Sequence, residues 1–167
     1  EDGKVWDSRV RFALPDKDVF VINANAEVPA LLGGQEGSFA GVGTVLFNMI
    51  VNPRTGRVYV SNTEARNEHR FEGHGAFLKT LGKTSVRGHF SESRITVLGG
   101  RPRVNAVHLN EHVDYNQCCA PIPNAENDRS VSIPLDMAIT DNGRQLYVAA
   151  FGTSEVEVLD TAALEAN

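Results

Sequence analysis

The sequence predicts an all-β protein assembled from antiparallel meanders of short strands, and three observations carry that expectation. Residues 134–163 read as an apolar strand, an Asp-Asn-Gly turn, a second strand, a Gly-Thr-Ser turn and a third strand. The first hairpin of that meander has a counterpart at 47–62. The pattern of its last strand recurs at 18–23 and 94–99: a polar residue, a β-branched one, any residue, Val, Ile or Leu, then a turn former.

Taken in order, residues 5–14 alternate loosely, with Val10, Phe12 and Leu14 on one face. After Pro15-Asp16-Lys17 comes a short β-rich strand at 18–23. The hairpin at 47–62 turns at Pro53-Arg54-Thr55-Gly56, with Pro where φ is preset and Gly where a positive φ is needed. Its second strand reads Val58-Tyr59-Val60, and the later hairpin repeats this as Leu146-Tyr147-Val148 after Asp141-Asn142-Gly143. Asn-Gly between apolar runs is a strong hairpin signal, because a two-residue turn needs φ > 0 at both central positions. Tyrosine in mid-strand suits a half-buried pleated surface, so Tyr59 and Tyr147 are read as packing residues. Residues 63–93 form the most polar segment and hold His69, His74 and His89. Helix is expected only in one short stretch near Phe77–Leu81, since glycines at 73, 75, 82 and 88 interrupt anything longer. A strand through Val104, Asn105 and Val107 follows, and then a Pro/Asn-rich loop at 113–128.

The unit of strand, Gly turn, Arg, aliphatic-Tyr-Val strand, turn and x-Val-x-Val-Leu-Asp resembles the YVTN-type β-propeller repeat of bacteria. It is carried by Arg57-Val58-Tyr59-Val60-Ser61-Asn62 and by Arg144 through Leu159-Asp160. Ser61-Asn62 sits close to the family's Thr-Asn, whereas Ala149-Ala150 departs from it. The resemblance covers about half the chain, and it implies antiparallel four-stranded blades in an incomplete propeller segment of two to three units. The expected division is a partial blade at 1–43, a complete blade at 44–112 with an insertion at 63–93, and a partial blade at 129–167. Two or three units cannot close a ring that takes roughly four to eight blades. Further blades or further chains are therefore expected to complete it. A single β-sandwich is the alternative fold, because short strands and frequent turns suit it equally.

Charge and motifs narrow the function. Sixteen Lys and Arg against 21 Asp and Glu give a net charge of −5, which lacks the basic footprint of a nucleic-acid binder. No apolar run is long enough to predict a membrane-spanning helix. There is no initiating Met or signal pattern at Glu1, so the chain is expected to be processed or part of something longer. The resemblance implies a periplasmic or extracellular setting. No Gly-x-Ser-x-Gly elbow, phosphate-binding loop, His-Glu-x-x-His or Cys-x-x-Cys-His motif occurs, and no catalytic residue is assigned. Adjacent Cys118 and Cys119 are read as loop thiols, as one thiol paired with a cysteine outside this sequence or, alternatively, as a strained vicinal disulfide.

The segment Val104 to Tyr115 places His108, His112 and Asp114 within seven residues, a candidate metal site. On a strand, residues four apart lie about 13 Å from each other. The site therefore requires a bend after Asn110, with His69, His74 and His89 as additional ligands. The expected function is a non-catalytic binding or scaffold module with no cofactor and no identified ligand. Its partners would be the remaining blades or another protein. The alternative is an enzymatic propeller, a hydrolase or redox-associated subunit, with loop histidines holding a divalent metal.

Overall fold

In the computed structural model, residues 16–66, 89–100, 103–115 and 121–166 are described. The chain is all-β, with antiparallel sheets of two to four strands. It divides into two compact units, Glu1–Gly41 and Val42–Asn167.

In the first unit, β1 (Val19–Phe20) pairs with β4 (Ser38–Phe39), and β2 (Ile22–Asn23) pairs with β3 (Ala30–Leu31). The expected single strand at 18–23 is thus two short strands that change partner at Val21. The Val21 N–H bonds the Gly37 carbonyl at 3.0 Å, and its own carbonyl accepts from the Leu32 N–H at 2.9 Å. Residues 5–14 lie outside the described residues.

The second unit holds two meanders. Sheet 1 runs β5 (Val45–Val51), β6 (Val58–Ala65), β7 (Ser91–Leu98) and β8 (Val104–His108) in consecutive order. Sheet 2 runs β9 (Pro134–Ile139), β10 (Gln145–Ala150) and β11 (Glu155–Asp160), followed by helix α1 (Thr161–Ala166). Side chains alternate across a strand, so each sheet has two faces. Tyr59, Ile95, Val97 and Val107 of sheet 1 meet Leu146 and Val148 of sheet 2 and Leu164 of α1 in one buried cluster. Ile50, Leu109, Met137, Ile139 and Leu159 pack around its margin. The two sheets therefore lie face to face, with β9 alongside β5 and β6. Asn48 of β5 donates to the Asp136 carboxylate of β9, and the Ser61 hydroxyl donates to the Leu135 carbonyl at 2.6 Å.

The two hairpin turns explain why these strands form where they do. Asn52 Oδ1 accepts from the Arg54 N–H at 2.9 Å, and Gly56, at φ 72°, closes the turn through its N–H to the Asn52 carbonyl. In sheet 2, Thr140 occupies the place of Asn52. Its hydroxyl oxygen accepts from the N–H groups of Arg144 and Gln145 at 3.2 and 3.1 Å. Only Gly143 of the Asn-Gly pair has a positive φ, 65°, so the turn is longer than the two-residue type expected from the dipeptide. In the β10–β11 turn the left-handed residue is Ser154, at φ 58°. Gly152 serves there through its size, since a Cβ would strike Ser132.

Two further differences from expectation concern the ends of elements. β6 and β7 stay paired as far as Ala65 opposite Ser91, and the Arg66 N–H bonds the Phe90 carbonyl at 2.9 Å. The segment read as an insertion at 63–93 therefore includes strand at both ends. Helix α1 is also new to the reading: Asp160 Oδ1 accepts from the Ala163 N–H at 2.9 Å and so caps a run of good helix formers. The helix expected near Phe77–Leu81 lies outside the described residues.

Candidate functional site

Titratable side chains gather where β6, β7 and β8 meet the 109–115 turn. Glu64 on β6 stands opposite Glu92 on β7, and Arg94 stands opposite His108 on β8. Alternation puts these four on the sheet 1 face turned away from sheet 2. His89 leads into β7, and Tyr115 returns from the turn to stack on its ring, with centroids 3.5 Å apart and planes 10° apart. The His108 ring lies 6.5 Å from that of His89 and 6.2 Å from that of Tyr115.

The hydrogen bonds assign the protons. Arg66 Nη1 donates to His89 Nδ1 at 2.7 Å, and His89 Nε2 donates to Glu92 Oε1 at 3.1 Å. Arg94 Nη2 bonds Glu92 Oε2 at 2.5 Å, and Arg94 Nη1 reaches Glu64 at 3.6 Å. Burial, reinforced by the Arg66 charge, lowers the pKa of His89, in keeping with a neutral ring that accepts from one arginine. Burial also lowers His108, whose Nε2 is enclosed with no hydrogen-bond partner among the described residues. Burial alone would raise Glu92, but the hydrogen bond and charge of Arg94 outweigh it and hold the carboxyl below its ordinary value. Tyr115 is raised by burial and by the nearby Glu92 charge.

The segment 108–115 does much of this positioning. Beyond His108 the Leu109 N–H still bonds the Ser93 carbonyl of β7 at 3.0 Å, and the chain then turns, with the Val113 N–H on the Asn110 carbonyl at 3.1 Å. The Asn110 amide is buried and acts like a strand partner for Val131. Its Nδ2 donates to the Val131 carbonyl at 2.8 Å, and its Oδ1 accepts from the Val131 N–H at 2.7 Å. His112 Nε2 meets the Glu126 carbonyl at 3.1 Å. The turn at 109–112 includes the bend expected after Asn110, and the Asn110 side chain ties the β8–β9 connection to sheet 1. Among the described residues, no group of three or more His, Cys, Asp or Glu side chains is placed to hold a metal ion. His69, His74, Cys118 and Cys119 lie outside those residues. Arg66, Glu92, Arg94 and Tyr115 were missing from the sequence reading. Arg94 and Glu92, two apart on a strand, are its one local signal, for such residues share a face.

A second polar network joins the two sheets. Tyr59 is fully buried, and its hydroxyl donates to Glu165 Oε1 at 2.5 Å while accepting from Asn52 Nδ2 at 2.8 Å. The Thr55 hydroxyl adds a bond to the same carboxylate oxygen at 2.8 Å, and Arg57 Nη1 lies 3.4 Å from the other. Burial is the main cause that pushes Tyr59 up to about 12; Asn52 opposes the rise and Glu165 adds to it. Asn52 Nδ2 and the Thr161 hydroxyl both donate to the Gly143 carbonyl, at 3.0 and 2.6 Å. The turn of one meander is thereby fastened to the turn of the next.

Fold and site together define an all-β protein of stacked antiparallel meanders with an internally paired polar cluster at one sheet end. No family model matches the sequence, and no curated protein matches it. Among solved structures, the chain is similar to Kuenenia stuttgartiensis Hydrazine Synthase with a TM-score of 0.48 and 15% identity. That similarity covers 78% of this chain and 31% of the other, so the chain spans about a third of its length, and no activity is carried across.

Proposed function

We propose that the chain is a run of YVTN-type β-propeller blades that serves as a non-catalytic binding or scaffold module of a secreted or periplasmic bacterial protein. The observation that carries this reading is the relation between the two meanders. They are successive in sequence, stacked by their faces, and set with first strands β5 and β9 side by side. Blades around a common axis have this arrangement, with inner strands converging and each face covered by the next blade. The polar cluster supports a binding or structural role over a reactive one. His89 has both ring nitrogens engaged, Glu92 is held by Arg94, and His108 Nε2, unpartnered among the described residues, is enclosed away from the surface. A general base needs a nitrogen or oxygen free to meet substrate.

Two measurements on the full-length gene product test the proposal. Electron microscopy is expected to show a ring of radial sheets; a two-layer sandwich without an axis would overturn the propeller reading. A panel of lactones, esters and redox dyes is expected to give no turnover attributable to this region. Turnover abolished by His89→Ala would overturn the non-catalytic assignment.

A further inference from the structure

We propose that His89 is the pin of a pH-operated clasp at the end of sheet 1. When neutral, it holds the Arg66 guanidinium against its ring; when protonated, it expels that guanidinium while keeping Glu92 and Tyr115. The device is built from side chains of sheet 1 and its 109–115 turn alone, and it is independent of the blade reading.

Three contacts meet on the His89 ring. Arg66 Nη1 lies 2.7 Å from Nδ1 and 3.4 Å from Nε2. Glu92 Oε1 lies 3.1 Å from Nε2, and the Tyr115 ring stacks at 3.5 Å. The three partners come from different stretches: Arg66 just past β6, Glu92 on β7, and Tyr115 at the end of the turn. The His89 side chain is only 12% exposed, so water screens these contacts little.

Each contact answers differently to a proton. A guanidinium carries donors only, so the neutral ring receives it through a nitrogen lone pair. Protonation removes that acceptor and sets a second cation in contact with the first, where low exposure makes like charges costly. The Glu92 contact gains, because a charged donor bonds a carboxylate more strongly than a neutral one. The Tyr115 contact also survives, since the face of a tyrosine ring attracts a cation. The proton therefore breaks one contact of the three.

The surrounding charges do not reverse this choice. Glu92 Oε2 is bound by Arg94 through Nη2 at 2.5 Å and Nε at 3.1 Å, and Arg94 Nη1 reaches Glu64 of β6 at 3.6 Å. Both carboxylates are thus already engaged by a cation. His108 of β8 stands 6.5 Å from the His89 ring. Its protonation would add a further positive charge. The turn contributes Glu111, His112 and Asp114, of which Glu111 raises and His112 lowers the pKa of His108. Burial and the Arg66 charge hold the His89 pKa below its ordinary value against the opposing pull of Glu92. The closed clasp accordingly resists protonation, and acid opens it. Opening acts on the last rung of the ladder. The Arg66 N–H bonds the Phe90 carbonyl at 2.9 Å, just beyond the Ala65–Ser91 pair.

Hydrogen exchange resolved to the Arg66 amide in the full-length gene product, corrected for the intrinsic effect of pH, tests the clasp. Between pH 7 and pH 5 the protection of Arg66 is expected to fall about tenfold or more, as for the loss of one hydrogen bond to a charged group. Mid-strand amides of β6 and β10 are expected to keep theirs. His89→Gln retains an acceptor and a donor on one side chain but takes up no proton, and should hold Arg66 protection constant over the range. An unchanged Arg66 amide in the unaltered protein, an equal fall in His89→Gln, or a loss that spreads at once to the mid-strand amides overturns the proposal. Arg66→Met gives an independent reading through the ring signals of carbon-labelled histidine. With the cation gone, His89 is expected to titrate at higher pH than in the unaltered protein, and an unchanged or lower midpoint overturns the proposal.

Discussion

Tyr59→Phe removes one oxygen atom from the network between the sheets and keeps the ring that fills the core. The lost hydroxyl donates to a carboxylate at 2.5 Å and accepts from a buried amide at 2.8 Å. A hydrogen bond to a charged group contributes about 1.5–3 kcal/mol, against about 1 kcal/mol for a neutral one. Two losses are softened by remaining partners: Glu165 Oε1 keeps Thr55, and Asn52 Nδ2 keeps the Gly143 carbonyl. The net expectation is about 2 kcal/mol. For a unit of this size that lowers the melting temperature by roughly 6–10 °C. Urea unfolding and calorimetry of the 167-residue chain measure it, with Tyr147→Phe as the control. The Tyr147 hydroxyl has only a 3.5 Å neighbour at an exposed site, so its removal costs less than about 0.5 kcal/mol. A cycle with Glu165→Gln should give a coupling of about 1 kcal/mol or more between Tyr59 and Glu165. Equal effects of Tyr59→Phe and Tyr147→Phe, or a coupling near zero, would refute the reasoning.

Three further perturbations probe other parts of the molecule. Gly143→Ala forces a Cβ at φ 65° into Asn52 Oδ1 and is expected to cost about 2 kcal/mol or more, read by urea midpoint; a neutral result would show that the turn relaxes freely. Asn110→Ala orphans both the N–H and the carbonyl of buried Val131, an expected loss of about 2–4 kcal/mol accompanied by faster amide exchange at Val131. The depressed pKa values of His89 and His108 mean that the unfolded chain binds more protons than the folded one below the ordinary histidine value. Their stabilising contribution is complete above pH ~6.5 and falls with acidification, by at most about 1.4 kcal/mol per pH unit for each ring. His89→Gln should flatten that dependence in unfolding measurements between pH 5 and 7, and an unchanged slope would remove His89 from the account.

Strands and turns were legible wherever turn formers bracket an apolar alternation. β10, between Asp141-Asn142-Gly143 and Gly152-Thr153-Ser154, alternates exposed and buried along its whole length. Strand 18–23 was read as one because nothing in its side chains marks the change of partner at Val21; that change is set by where 30–31 and 38–39 return. The extra paired residues of β6 and β7 are polar and so read as loop. Backbone pairing and the Arg94 bridge to Glu64 and Glu92 keep them in the sheet. The cluster was less accessible. His108 was marked by its spacing to His112 and Asp114, and His89 was named beside it as a further ligand. Yet Arg66 comes from a separate segment that no spacing rule joins to them, and Tyr115 was read only as the end of the His108 segment. Asn110 looked like a turn former, and its pairing with Val131 depends on a contact 21 residues away.

The long pairing of β6 with β7 has a consequence for how this molecule tolerates change. Residues 66 and 90 are joined by a backbone hydrogen bond, so the two ends of the intervening stretch are fixed a strand spacing apart whatever lies between them. The entropy of closing such a loop grows only with the logarithm of its length, about 0.6 kcal/mol for each doubling. On that closure cost alone, doubling the number of residues between positions 66 and 90 would cost the eight-rung ladder less than about 1 kcal/mol.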